Sequence, residues 1–211
     1  MRTIGKRVGA GIAIALAGSL PIVGLFFTIH ATSDRGVPEM PAQLVSDAPP
    51  PFALEAVTED VLWLARCIYS ETKRAEEQEL VAWVIRNRVE TEYRGEDTYE
   101  DVVLDPYQFS AFNPGNPKRR LYTSLTPSSD SPAFVQALEV AHGVYHAPSA
   151  ARPFPERTRH FYSERSMVGG AKPNWAHGHT PVQPTSFRPD PRRFRFYSGV
   201  AAPMPILSIR F

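Results

Sequence analysis

One glutamate stands out as a residue on which chemistry could turn. Glu71 closes the string Cys67-Ile-Tyr-Ser-Glu71 and is followed by Thr72. It lies three residues after Ile68 and seven after Leu64, at the edge of an apolar stripe with helical spacing. A carboxylate there is half shielded from water. Burial disfavours its ionised form and raises its pKa, as a general acid working near neutral pH requires. The ordinary reading of such a residue is a solvated helix-end glutamate paired with Arg74 at i+3.

A second group gives Glu71 company. Tyr107-Gln-Phe-Ser-Ala-Phe-Asn113 lies between Pro106 and Pro114-Gly115, so it reads as a loop. Gln108, Ser110 and Asn113 offer donors and acceptors, while Tyr107, Phe109 and Phe112 offer flat apolar faces. That mixture suits sugar rings, which have apolar faces and hydroxyl edges. Some of these aromatics, Phe109 first, are expected to anchor the loop to the core. His160, Tyr162 and Trp175 complete the candidate binding set. Cys67 has apolar helical neighbours and reads as a buried, inert thiol.

These residues need elements to hold them. Apolar periodicity predicts helices over Thr58–Thr72, Glu76–Tyr93, Thr98–Leu104 and Ser131–Tyr145, the last with Pro132 in its first turn. Arg86, Asn87 and Arg88 on the second helix could reach a substrate, but such residues more often brace neighbouring loops. After residue 147 the character changes. His160-Phe-Tyr162 and Phe194-Arg-Phe-Tyr197 read as strands around a long loop, 163–193. Helices first and a small sheet after predict an α+β fold, mainly helical, with a small antiparallel sheet from the C-terminal part.

The N-terminus sets the compartment. Arg2, Lys6 and Arg7 precede 22 uncharged residues, Val8–Ile29, a pattern that fits an export signal or membrane anchor with the rest of the chain outside. The expected organisation is a signal or anchor over 1–30, a Pro-rich linker over 31–57, a catalytic domain over 58–200 and a tail over 201–211. Residues 151–211 carry ten basic groups against three acidic. A basic segment can bind nucleic acid, but export directs the chain away from it. The expected location is extracytoplasmic, in the periplasm or cell wall, either anchored by residues 8–29 or released after cleavage. One cysteine in an exported chain gives no disulfide framework. The domain is expected to be monomeric and to need no cofactor or metal.

Several strings together resemble the cell-wall hydrolase family that includes the spore cortex-lytic enzyme. They are Leu64-Ala-Arg-Cys-Ile-Tyr-Ser-Glu71, Val81-Ala-Trp-Val-Ile-Arg-Asn-Arg-Val89, Gln108-Phe-Ser110 with Asn113, His160-Phe-Tyr162, Trp175 and Phe196-Tyr197. Order and spacing agree over roughly 58–198. The resemblance implies a lysozyme-like, lytic-transglycosylase-like fold, peptidoglycan glycan strands as substrate, and Glu71 as catalytic acid. Thr72-Lys-Arg-Ala75 departs from the small residue, arginine and glycine that family members often carry after this glutamate.

Glycosidases commonly use two carboxylates. Asp105 and Glu76 are the candidates here for a hydrolytic muramidase. Without a second carboxylate, Glu71 could act as acid and then base, giving the 1,6-anhydro product of a lytic transglycosylase. Ser110 and Tyr162 could then orient the N-acetyl group or stabilise developing charge. Two other readings remain open. His160 and His177-Gly-His179 could supply imidazoles to a zinc amidase or peptidase, with Glu71 as base. A non-catalytic module could bind glycan through Trp175 and the Tyr107–Phe112 aromatics.

Overall fold

A computed structural model describes residues 52–202. Five α-helices and a two-stranded sheet make up its regular structure, with short 3-10 turns between them. The fold is α+β and mainly helical, as the pattern predicts.

Helix α1, Glu59–Glu71, starts where the Thr58 hydroxyl accepts from the Val61 amide, with Glu59 and Asp60 in the first turn facing the positive end of the helix dipole. Its residues Val61–Ile68 are all buried, so α1 is surrounded rather than one-sided. It packs against α2 (Ala75–Glu90), α3 (Tyr99–Leu104) and α5 (Pro132–His146). Helix α5 carries the expected Ser131 cap, which accepts from the Phe134 amide, and Pro132 in its first turn.

The turn between α1 and α2 matters most, because it fixes the end of α1. Thr72 adopts extended backbone and stops the helix one residue after Glu71. Gln78 is fully buried and donates to the Thr72 carbonyl at 2.9 Å. Gln136 of α5 donates to Gln78 Oε1 at 3.0 Å and to the Lys73 carbonyl at 3.2 Å. The Thr72 hydroxyl donates to Glu77 at 2.6 Å. The bonds of Thr72, Glu77 and Gln78 tie down polar groups that would be costly to bury alone.

Helix α2 also carries the sheet. Asn87 donates to the Thr158 carbonyl at 2.9 Å and Arg88 Nε to the Arg159 carbonyl at 2.8 Å. Strand β1, Thr158–Tyr162, pairs antiparallel with β2, Arg195–Ser198, with Phe161 opposite Phe196 and His160 opposite Tyr197. Arg86 braces in the same way, donating from Nη1 to the carbonyls of Val144 and Ala147 near the end of α5, each at 2.7 Å.

Three details differ from the sequence expectation. Helix α2 ends at Glu90, and Tyr93–Gly95 forms a separate turn, with left-handed backbone at Glu92 just before it and at Arg94 within it. A short helix α4, Arg119–Thr123, has no apolar period to announce it. The 163–193 segment contains three 3-10 turns. No helix among the described residues is long and apolar enough to cross a membrane, and the run Val8–Ile29 lies outside them. Residues 31–51 of the expected 31–57 linker and the end of the tail lie outside them too.

Candidate active site

A cleft of about 450 Å³ opens between the end of α1, the 107–113 loop and the segments flanking the sheet. Glu71 lines it together with Tyr107, Gln108, Ser110, Asn113 and Tyr162. Six of the eight candidate residues therefore converge on one cavity from positions up to 91 residues apart in the chain. Arg88, Phe161, Ser163, Arg165, Met167 and Arg193 add to its walls.

Glu71 is densely surrounded by protein yet remains part-accessible from the cleft. Its burial pushes the carboxyl up to about 7, against the pull of the Arg88 guanidinium. Its place on the last residue of α1, at the negative end of the helix dipole, acts in the same direction as burial. No hydrogen bond or ion pair within 4 Å occupies its carboxylate among the described residues. A carboxyl group that is protonated near neutral pH and has no protein acceptor can give its proton to a ligand.

The 107–113 loop presents its polar groups outward and roots its aromatics inward. Phe109 and Phe112 are each 1% exposed, while Tyr107 is 83% exposed at the lip of the cleft. Tyr107 has a φ of +66°, a backbone state that non-glycine residues rarely adopt. Asn113 holds it there, its Oδ1 accepting from the Tyr107 amide at 2.8 Å. One face of Asn113 is thus spent on the loop, whereas the side chains of Gln108 and Ser110 make no hydrogen bond among the described residues.

His160 and Trp175 lie elsewhere. His160 is buried in a hydrogen bond with the Tyr93 hydroxyl at 2.9 Å, and burial pushes its imidazole down to about 3. Trp175 packs edge-on to Tyr162 and Tyr197 and against His160. Trp175 packs on a small cluster of Tyr162, Tyr197, Ala176 and Val200, and His160 lies against Trp175 at its edge. Tyr162 takes part in both regions, lining the cleft and stacking on Tyr197. Strand alternation does not separate the two regions: His160 shares a face with Tyr162, which lines the cleft, while Phe161 turns to Phe109 and the main core yet also lines the cleft.

Neither candidate for a second carboxylate reaches the cleft. Asp105 is held by Arg94, with Nε at 2.5 Å. Glu76 lines a separate, mostly apolar groove between α2 and α5. Glu71 is the one carboxylate lining the cleft among the described residues. No group of three or more His, Cys, Asp or Glu side chains is placed to hold a metal ion among the described residues.

Two further features help to shape the cleft; the Glu77–Arg193 pairing had no sequence signal, whereas Arg88 was expected as a substrate-reaching or bracing residue. Glu77 is 1% exposed, accepts from Arg193 at 2.6 and 2.7 Å, and so sets Arg193 in the cleft wall. Arg88 is 5% exposed and lies over the Phe109 ring at 5.0 Å. Both depend on partners distant in sequence.

A family model described as Cell Wall Hydrolase matches residues 72–187, more than half of the chain. The chain belongs to this family, and its substrate is the peptidoglycan of the cell wall, outside the cytoplasm. The matched segment begins one residue after Glu71, so membership does not itself assign a role to that residue. No curated protein and no solved structure matches the chain.

Proposed function

We propose that this protein cuts glycan strands between amino sugars as a lytic transglycosylase, with Glu71 acting first as acid and then as base. The observation that carries this reading is a cleft lined by one carboxylate, whose pKa is raised to about 7. A general acid works best when its pKa lies near the operating pH.

Protonated Glu71 gives its proton to the oxygen joining two sugars. The C1–O bond breaks and an oxocarbenium-like centre develops at C1. Glu71, now a carboxylate, takes the proton from the 6-hydroxyl of the same sugar as O6 bonds to C1. The product is a 1,6-anhydro sugar, and Glu71 is again protonated. The cycle consumes no water and needs no second carboxylate. Ser110 and Gln108 carry unoccupied polar groups for the N-acetyl and hydroxyl groups of the strand, the Asn113 amide nitrogen adds a donor, and exposed Tyr107 offers a flat face to a sugar ring. Tyr162 contributes at the cleft wall, and His160 and Trp175 support it from behind.

The domain is proposed to work as a monomer held at the outer face of the membrane through Val8–Ile29. Fractionation of cells expressing the full chain checks this: the protein stays with membranes after a high-salt wash. For the catalytic reading, purified peptidoglycan is incubated with the parent protein and with Glu71→Gln. Soluble fragments appear only with the parent. An active Gln variant would sink the assignment of Glu71, and a folded parent that binds glycan but releases nothing would make the protein a binding module.

A further inference from the structure

The cleft holds a cation that its own protein leaves half satisfied. Arg88 is 5% exposed, and burial pushes its guanidinium down to about 10, which still leaves it charged at neutral pH. Only Nε has a hydrogen-bond partner among the described residues, the Arg159 carbonyl at 2.8 Å. Nη1 is buried with none. Arg88 makes no ion pair within 4 Å among the described residues, unlike Arg193 and Arg165, which hold Glu77 and Asp190. A buried cation with unmet donors is costly, so its retention on the wall of a cleft calls for an explanation.

We propose that Arg88 is a positioning residue for Glu71: its buried guanidinium is the counter-charge for the carboxylate left when Glu71 gives its proton to the substrate. This rests on the reading of Glu71 as proton donor. Arg88 and Glu71 line the same cavity from α2 and α1, and the charge that forms on Glu71 has no other partner among the described residues. The ring of Phe109 and the Arg159 carbonyl hold the guanidinium in place without neutralising it.

The surrounding groups leave this role to Arg88. On α1, burial pushes the Cys67 thiol well up, so it stays neutral. Tyr122 on α4 and Tyr93 after α2 are also raised by burial. His160 on β1, with His179 near it, is pushed down by burial to about 3 and is neutral in the working range. Asp105 is paired with Arg94. Arg165 and Arg193 line the cleft but are committed to their own carboxylates. Lys73 is pushed down to about 8 by burial and by Lys118, but its ammonium lies over the Tyr69 ring, outside the cleft lining.

The test is the pH–rate profile of peptidoglycan lysis by the full chain, comparing the parent with Arg88→Gln, Arg88→Lys and Lys73→Gln. In the parent the alkaline limb lies near the Glu71 value of about 7. Removing a nearby cation disfavours the carboxylate, so in Arg88→Gln the limb moves up by about one pH unit and the maximal rate falls roughly tenfold, as a weaker acid requires. Arg88→Lys and Lys73→Gln keep the parental limb. An unmoved limb in Arg88→Gln, or an equal shift in either control, overturns the proposal. Should Arg88→Gln not fold, the parent's own limb is followed from about 0.05 to 0.5 M salt. A buried counter-charge predicts no movement, whereas a salt-dependent limb assigns the effect to the exposed cations and overturns the proposal. Glu71→Gln separates the two readings. If it is active, the Glu71 assignment fails; if it is inactive while the Arg88→Gln limb stays put, only the role of Arg88 fails.

Discussion

Two glutamates six residues apart, Glu71 at the end of α1 and Glu77 in the first turn of α2, meet opposite fates. Glu77 is sealed from water and fully compensated. It accepts from the Thr72 hydroxyl and from two nitrogens of Arg193, with Arg74 at 3.8 Å, and these partners hold its carboxyl below the usual range despite burial. Glu71 is part-accessible and uncompensated, and burial raises it to about 7. The helix dipole widens the gap, since Glu77 sits at a positive end and Glu71 at a negative one. One carboxylate is used up in holding the fold together. The other is left without a partner among the described residues, at a cost in stability, as the proposed proton transfer requires.

Exchanging each for glutamine or alanine should separate the two roles. Glu71→Gln should lower turnover on the order of 10³-fold while leaving the circular dichroism spectrum unchanged. Glu77→Ala should act on the fold instead. It strands the half-buried Arg193 guanidinium and the Thr72 hydroxyl, and should cost about 3 kcal/mol in chemical denaturation. Any activity lost in that variant should follow from the displaced Arg193 and the loosened end of α1.

The pH dependence of stability sharpens the comparison, because the two shifts have opposite sign. The folded pKa of Glu71 lies above its ordinary 4.5. Its neutral form is favoured by folding, so its contribution is complete below about pH 4.5 and is lost as pH rises through about 7. The folded pKa of Glu77 is depressed, so its contribution is present above 4.5 and is lost as pH falls through the folded value. Glu71→Gln should therefore be more stable than the parent at alkaline pH by about 2 kcal/mol, after allowance for its partial exposure, and equal to it in acid. Thermal melts at the two pH extremes read this directly. The smallest effect is expected at Asp105, which is committed to Arg94 outside the cleft: Asp105→Asn should change lysis by less than about twofold.

Much of this architecture was legible because it is local. Thr58 and Ser131 cap their helices, Pro132 opens α5, and the apolar spacing around Leu64 and Ile68 brings Glu71 to the edge of a buried face. The 107–113 loop was readable for the same reason, with Pro106 and Pro114 marking its ends and the Phe109 and Phe112 anchors alternating with polar groups. The pairing of Glu77 with Arg193 was not legible, since 116 residues separate them and neither has a distinctive neighbourhood. Arg88 could be seen as a brace, which it is, but its unmet donors depend on how β1 and Phe109 close over it. Helix α4 is too short to show a period. His160 and Trp175 carry residue types that suit a sugar site and an aromatic cluster equally well, and the packing behind the sheet claims them.

The central claim is that one carboxylate performs both proton transfers. Mass spectrometry of the fragments released from purified peptidoglycan by the full chain, beside a Glu71→Gln control, tests it most directly. The account predicts 1,6-anhydro fragments from the parent and none from the control. Fragments with ordinary reducing ends would mean that water attacks C1, contradicting the acid-then-base cycle. Released peptides with intact glycan would mean that the enzyme cuts an amide instead.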